Sequence, residues 1–204
     1  IAAHRMAKRN VIVRKMTAVE SLGSCTLIAS DKTGTLTMNE QTARLILLPG
    51  REEFSVTGTG YTGEGEIITS SGRPISDQES QELQNLTRIA TLCSEAQLKP
   101  VEEKWHYSGD PVDVAFLALA RKSGLDTTHI QETIDRHLFI PFEADRRYSA
   151  AAFSRSDGEI FGIKGAAEAV VPHCSRMRTN DGEIPADKSM ILATSEKLAK
   201  NGYR

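Results

Sequence analysis

The chain has 204 residues, with 25 Lys and Arg against 27 Asp and Glu, a formal net charge of −2 and 39% hydrophobic residues. That near-balance excludes a general nucleic-acid binder, which needs a basic excess to neutralise phosphates, and the composition suits one or two folded cores and not a disordered chain. The longest apolar run, Val114 to Ala120, falls far short of the roughly 20 residues of a membrane-spanning helix.

The basic start, Ile1 to Arg9, has no apolar core or cleavage site, so it is not a secretory signal and reads as the end of something longer. Cys25, Cys93 and Cys174 are odd in number and widely spaced, which points to a reduced compartment with the thiols as core filler or idle. Asn10 to Arg14 is a short β-branched run, and Cys25 to Ser30 predicts a fully buried strand that stops at Asp31. Ala43 to Leu48 and Glu53 to Thr57 predict a hairpin reversed at Pro49-Gly50. Gly58-Thr59-Gly60-Tyr61-Thr62-Gly63 satisfies G-x-G-x-x-G, but the strand-like Glu66 to Thr69 follows it, so it reads as a turn and not a dinucleotide site.

From Ser76 the period becomes helical. Ser76-x-x-Glu79 fits a capping box, and Leu83, Leu86, Ala90 and Cys93 share one face of a helix expected to reach about Ala96. Asp110-Pro111 opens a second helix that Gly124 can end, and a weaker one follows from Thr128 with Ile130 and Ile134 on one face. Leu138 to Phe142, Ser149 to Phe153 and Glu159 to Ile163 predict strands, the last two adjacent and antiparallel. A final helix is expected from about Asp187 to Lys200, with Gly202 as its stop.

Asp31-Lys32-Thr33-Gly34-Thr35-Leu36-Thr37 sets a carboxylate at the tip of an apolar strand, before a Gly-containing turn. In open α/β sheets that end of a strand is where ligands bind. A carboxylate there can act as nucleophile toward a phosphoryl group, with Lys32, the Thr35 hydroxyl and nearby amides on the transferred oxygens. These seven residues resemble, without a substitution, the phosphorylation signature of the P-type ATPases. Chance agreement over seven positions is of order one in a billion per site, taking roughly one-in-twenty residue frequencies.

The resemblance implies further roles. In related haloacid-dehalogenase-like phosphatases an aspartate two positions after the nucleophile is a general acid/base; Thr33 stands there and cannot do that work at neutral pH. A longer-lived phosphoenzyme follows. In the family, Asp31 and the Thr33 carbonyl hold Mg²⁺ together with a carboxylate of a Gly-Asp-Gly-x-Asn-Asp segment that this sequence lacks.

In the second half, Phe142 resembles the phenylalanine that stacks on adenine, and Lys164-Gly165-Ala166 the Lys-Gly-Ala motif whose lysine lines the ATP pocket and whose glycine leaves room for the base. By position, Asp113 matches a glutamate that bonds the adenine amino group, Arg147 a lysine near the phosphates, and Arg204 an arginine that reaches them. Departures are the shorter Asp113, Ala144 where a phosphate-contacting arginine often stands, and Ala167 in place of a proline. Residues 17 to 24 and Leu92-Cys93-Ser94-Glu95-Ala96 also resemble the type II, calcium-pump-like branch. No P-loop motif occurs, and His173-Cys174 has no partners at zinc spacing.

The expected fold class is α/β. Residues 1–40 form part of a Rossmann-like phosphorylation domain, poorly anchored without its remainder, and 41–204 form most of an inserted α+β nucleotide-binding domain with an antiparallel sheet. The resemblance implies the cytosolic part of an integral membrane pump that uses Mg-ATP to phosphorylate Asp31 and moves a cation. As a fragment it is expected to be monomeric and to bind ATP without turnover, its partners being the missing segments of the same protein. A soluble phosphohydrolase and a pure nucleotide-binding module are the alternatives.

Overall fold

The computed structural model describes residues 2–32, 34–102, 104–155 and 158–203. The chain divides into two units, Ile1–Asn39 and Glu40–Arg204.

The first unit carries two short helices, α1 (Ala2–Ala7) and α2 (Met16–Gly23), and no strand among its described residues. The strand expected at 25–30 is therefore not formed, and the β-branched run at 10–14 is not a strand either. Leu27 and Ile28 are 84% and 85% exposed. A strand buried on both faces needs neighbouring strands in a parallel sheet, and the described residues of this unit supply none.

The second unit opens with β1 (Leu45–Ile46), β2 (Phe54–Val56) and β3 (Ile67–Thr69), an antiparallel sheet in that order. The expected hairpin is present, with Leu45 opposite Ser55 and Ile46 opposite Phe54. Between β2 and β3 the glycine-rich segment is a tight loop. The Thr57 amide donates to the Glu66 carbonyl at 2.9 Å, and a Cβ on Gly58 would lie 2.2 Å from the Glu64 carbonyl oxygen. The segment leads into a strand, so the dinucleotide reading fails on structure as it does on sequence.

Helix α3 (Asp77–Leu92) starts at the expected capping box, with the Ser76 hydroxyl accepting from the Glu79 amide and the Glu79 carboxylate accepting from the Ser76 amide. Arg73 binds both oxygens of Glu79, at 2.8 and 2.5 Å, and also pairs with Glu52; Arg51 does the same for Glu82. These bonds tie the first sheet to the start of α3. They hold the Glu79 carboxyl far below the ordinary carboxylate range, Arg73 being the chief cause and the Ser76 amide and hydroxyl adding to it. The helix ends at Leu92, four residues short of the expected end, and Leu86 is 45% exposed although it shares the periodicity of the buried Leu83 and Ala90.

A hairpin follows, β4 (Gln97–Val101) and β5 (Lys104–Ser108), then α4 (Pro111–Lys122) and α5 (Thr127–Thr133). Asp110 caps α4 through the Val112 amide at 2.8 Å, with Pro111 in its first turn, and Asp126 caps α5 through the amides of Thr128 and His129. The main sheet is β6 (Arg136–Ile140), β7 (Tyr148–Arg155) and β8 (Gly158–Gly165), antiparallel with β7 in the centre. Short α6 (Ala167–Val170), a 3₁₀ turn at Val171–His173, the hairpin β9 (Arg176–Thr179) and β10 (Gly182–Pro185), and α7 (Lys188–Lys200), capped by Asp187, complete the unit.

Three apolar clusters hold this unit. One joins Ile46, Phe54 and Val56 to Leu83 and Leu119, the second packs Leu98 against Val114 and Leu117, and the third packs Leu92 and Cys93 against Ala151 and Phe153. Helix α3 lies so close on the main sheet that a Cβ on Gly162 would meet the Ile89 side chain at 3.0 Å and the Cys93 sulfur at 3.1 Å. Burial pushes the Cys93 thiol up, with the Lys164 charge pulling it partly back.

Candidate functional site

In the antiparallel order β6-β7-β8, the end of β6, the start of β7 and the end of β8 lie at one edge of the sheet. Ile140 pairs with Ala150, Ser149 with Lys164, and Tyr148 with Gly165. Four of the residues singled out in the sequence meet there: Phe142 just after β6, Arg147 just before β7, and Lys164 and Gly165 closing β8.

The loop between β6 and β7 is held by its own polar groups. Arg146 donates to the Pro141 carbonyl at 2.7 Å and pairs with Glu143, while the Arg147 amide donates to the Glu143 carbonyl at 2.7 Å. Phe142 is left 57% exposed, an aromatic face turned out of the core. Arg147 itself is left-handed, with φ +58°, a conformation that costs a non-glycine residue of order 1 kcal/mol. Its guanidinium lies 3.8 Å from the Glu168 carboxylate, and both side chains are about half exposed.

Gly165 was expected to leave room for a base. A side chain at this position is excluded by the neighbouring strand, because a Cβ there would stand 2.3 Å from the Arg147 carbonyl oxygen and 2.6 Å from the Tyr148 Cα, while Gly165 itself is exposed. The Ala166 amide donates to that same Arg147 carbonyl at 3.0 Å.

Lys164 reaches the first turn of α4. Its ammonium bonds to one oxygen of Asp113 and to the Ser94 hydroxyl at 3.2 Å, and lies 5.4 Å from the centre of the Phe116 ring. The second Asp113 oxygen accepts from the Glu95 amide at 3.1 Å. The Lys164 and Asp113 side chains are 12% and 16% exposed, so the ion pair is shielded from water and from screening salt. Asp113 and Lys164, each expected to face a nucleotide, are thus bonded to one another.

Phe116, Ser94 and Glu168 join the site without having been assigned to it from the sequence. Phe116 did carry a signal, since it follows Asp113 by three positions on one helix and so shares its face. Glu168 follows Gly165 by three positions, and Ser94, from the segment 92–96, reaches Lys164 only through a tertiary contact.

In the first unit, the phosphorylation-type motif is a tight turn around one carbonyl. The amides of Leu36 and Thr37 donate to the Lys32 carbonyl at 3.0 and 3.1 Å, the Gly34 amide donates to the Thr37 hydroxyl at 3.3 Å, and Gly34 has φ +73°. Asp31, Lys32 and Thr35 are exposed. Thr33 and Arg204, two of the expected site residues, lie outside the described residues.

The chemistry of each place differs. An exposed aromatic face, a shielded carboxylate-ammonium pair and a nearby guanidinium suit a flat, polar-edged, anionic ligand. Among the described residues no group of three or more His, Cys, Asp or Glu side chains could hold a metal by itself. The Asp31 carboxylate is a hard oxygen donor of the kind Mg²⁺ takes one or two of, alongside water and substrate phosphate oxygens. A cavity of about 240 Å³ lies elsewhere, between the end of α3, β4 and α5, lined by Glu95, Lys99, Gln131, Glu132 and Arg136 among others.

Comparison with known proteins agrees with the sequence pattern. The family described as P-type ATPase, cytoplasmic domain N, matches residues 82–204. The chain is 35% identical over 209 residues to the cation-transporting ATPase pma1 of Synechocystis sp., covering 100% of this chain and 23% of that protein. It is 34% identical to the probable cation-transporting ATPase F of Mycobacterium tuberculosis, covering 100% of this chain and 22% of the other. To the calcium-transporting ATPase type 2C member 2 of Rattus norvegicus it is also 34% identical, over 98% of this chain and 21% of that protein. The chain therefore spans between a fifth and a quarter of the length of these relatives. With more than half of its residues matched by the domain-N family, this chain belongs to the P-type ATPases.

Proposed function

We propose that residues 40–204 hold ATP at the end of the β6-β7-β8 sheet, and that Asp31 takes its terminal phosphoryl group within a longer cation-transporting pump of the calcium-pump-like branch. What carries the reading is the meeting of Phe142, Arg147 and Lys164 at one sheet edge with Asp113 bonded to Lys164. The exposed Phe142 ring offers a stacking face for adenine, and the Asp113 carboxylate an acceptor for its amino group. Arg147 offers charge-assisted bonds to phosphate, and Arg204 adds a second cation by its place in the sequence.

In the transfer step, an Asp31 carboxylate oxygen attacks the γ-phosphorus. The new P–O bond forms as the bond to the β,γ-bridging oxygen breaks; ADP leaves with that electron pair, and an aspartyl phosphate remains. Lys32 and the Thr35 hydroxyl face the transferred oxygens. Asp31 and the Thr33 carbonyl would hold Mg²⁺, which when bound neutralises charge on the phosphate oxygens. Thr33, in place of an acid/base aspartate, leaves the acyl phosphate without a proton-transfer partner for rapid hydrolysis. Residues 1–39 would belong to a haloacid-dehalogenase-like phosphorylation domain into which the nucleotide-binding part is inserted. Among the described residues no helix is long and apolar enough to cross a membrane; the cytosolic place and the transported cation belong to the longer protein.

The 204-residue chain is expected to bind ATP weakly, as a monomer, and not to turn it over. Nucleotide-induced shifts in amide NMR should disappear in Phe142→Ala and in Lys164→Ala, and unchanged binding in both variants would overturn the site. Steady Mg-dependent ATPase activity of this chain, lost on Asp31→Asn, would refute the absence of turnover. In the longer protein, labelled ATP should leave a hydroxylamine-sensitive acyl phosphate that Asp31→Asn abolishes. Its absence would leave a nucleotide-binding module only.

A further inference from the structure

We infer that Ser94 is a positioning residue for Lys164, fixing the ammonium at the sheet edge through a hydroxyl that can only accept from it. The polarity of that hydroxyl is forced by its neighbours. Ser94 follows α3 and is 2% exposed, and its Oγ lies 2.7 Å from the Ala90 carbonyl and 3.2 Å from the Lys164 Nζ. A carbonyl can only accept and an ammonium can only donate. The single hydroxyl proton therefore goes to Ala90, and the lone pairs are turned to Lys164.

The same short segment orients the other partner. The Glu95 amide donates to Asp113 at 3.1 Å, so neighbouring residues hold both ends of the Asp113–Lys164 pair, one through a side chain and one through the backbone. The segment is itself pinned to the sheet beside Lys164. Ser149, the cross-strand partner of Lys164, is 2% exposed and donates to the Cys93 carbonyl at 3.0 Å. A lysine ammonium sits on a flexible four-carbon stem and loses substantial rotamer freedom when it is fixed. With Asp113 alone it could pivot about one contact; with Ser94 as second acceptor and the Phe116 ring as a wall its direction is set before any ligand arrives.

The consequence for ATP rests on the nucleotide-site reading above, whereas the geometry does not, and the test separates the two. Proton-nitrogen NMR of the lysine ammonium groups of the 204-residue chain, at low temperature, reads the Lys164 contact directly through its exchange with water. A protected Lys164 correlation is expected in the unaltered chain and in Ser94→Thr, and its loss in Ser94→Ala. Ser94→Cys keeps the volume but puts a weakly accepting sulfur in place, and must behave as the alanine variant does. Titration with ATP should show about fivefold weaker binding in Ser94→Ala, the loss of roughly one net hydrogen bond. Equal protection of Lys164 in Ser94→Ala and the unaltered chain would overturn the inference. Failure of every variant to bind ATP, with the difference in protection intact, would support the positioning and sink the nucleotide site.

Discussion

The two units of this chain treat their apolar residues in opposite ways. In Glu40–Arg204, Phe54, Val114 and Leu117 are fully buried, each within a cluster built by at least two elements. In Ile1–Asn39, Ile12, Leu27 and Ile28 are more than four-fifths exposed. Yet the chemical motif that is most specific in the sequence lies in the poorly packed unit. The turn after Asp31 closes through bonds among residues 32–37 and a left-handed Gly34, so it needs only local chemistry. The strand before it needs neighbours far away in sequence. Motif and fold are thus specified at different ranges.

The largest test of that contrast is a pair of truncations. Phe54→Ala removes a ring that is wholly inside a cluster and should cost about 3–5 kcal/mol of unfolding free energy. Leu27→Ala removes a side chain that is mostly in water already and should stay within about 0.5 kcal/mol. Urea denaturation followed by far-ultraviolet dichroism reads both; a comparable loss in the two variants would mean that the first unit is packed far better than its exposure indicates.

At the sheet edge, the close approach of Gly165 to the Arg147–Tyr148 backbone leads to a sharper prediction. Gly165→Ala must push the β7–β8 ladder apart at its end, at a cost of about 1–3 kcal/mol. A variant as stable as the unaltered chain would show that the approach is looser than 2.3 Å.

Legibility followed the same division between local and distant causes. The capping box at Ser76 and Glu79, the Asp110-Pro111 helix start and the Asp187 cap all formed where side-chain chemistry within four residues dictates them. The hairpins β4-β5 and β9-β10 carried little signal. In β4 only Leu98 is buried, and Pro100 argues against a strand; in β10 every residue is exposed. Leu86 kept the helical period but missed the core, because a period names a face and not the width of what covers it. At the site, Phe142, Arg147 and Lys164 rest on the resemblance to the family's motifs, and the sheet brings them to one end. The bond between Asp113 and Lys164 and the part of Ser94 join residues 51 and 70 positions apart, which no local pattern announces.

Acid should weaken the join between the first sheet and α3. Because bonding to Arg73 and the Ser76 amide lowers the Glu79 pKa in the folded state, the unfolded chain binds the proton more readily. Glu79 therefore contributes stability that is complete above the unfolded carboxyl value and falls away as pH drops below it toward the depressed folded value. Urea midpoints at pH 6 and pH 3 should differ less in Glu79→Gln than in the unaltered chain. At pH 6 that variant should lose about 1–2 kcal/mol, the solvent-accessible Arg73 limiting the damage. Equal pH dependence in the two proteins would move the acid sensitivity to other carboxylates.

The smallest effect has the opposite sign, and it sharpens the contrast most. Arg147 holds a left-handed backbone that glycine adopts freely, while its side chain makes only a distant, half-exposed contact with Glu168. Arg147→Gly should therefore raise stability by up to about 0.5 kcal/mol, the relief of strain being largely offset by the greater freedom of glycine in the unfolded chain. The same change should weaken ATP more than AMP if the Arg147 charge faces phosphate as proposed. Strain kept at a residue whose packing gives nothing back is what a binding role would preserve. If Arg147→Gly is less stable than the unaltered chain and binds ATP equally well, the left-handed turn is a packing requirement of the β6-β7 loop and the guanidinium has no part in the site.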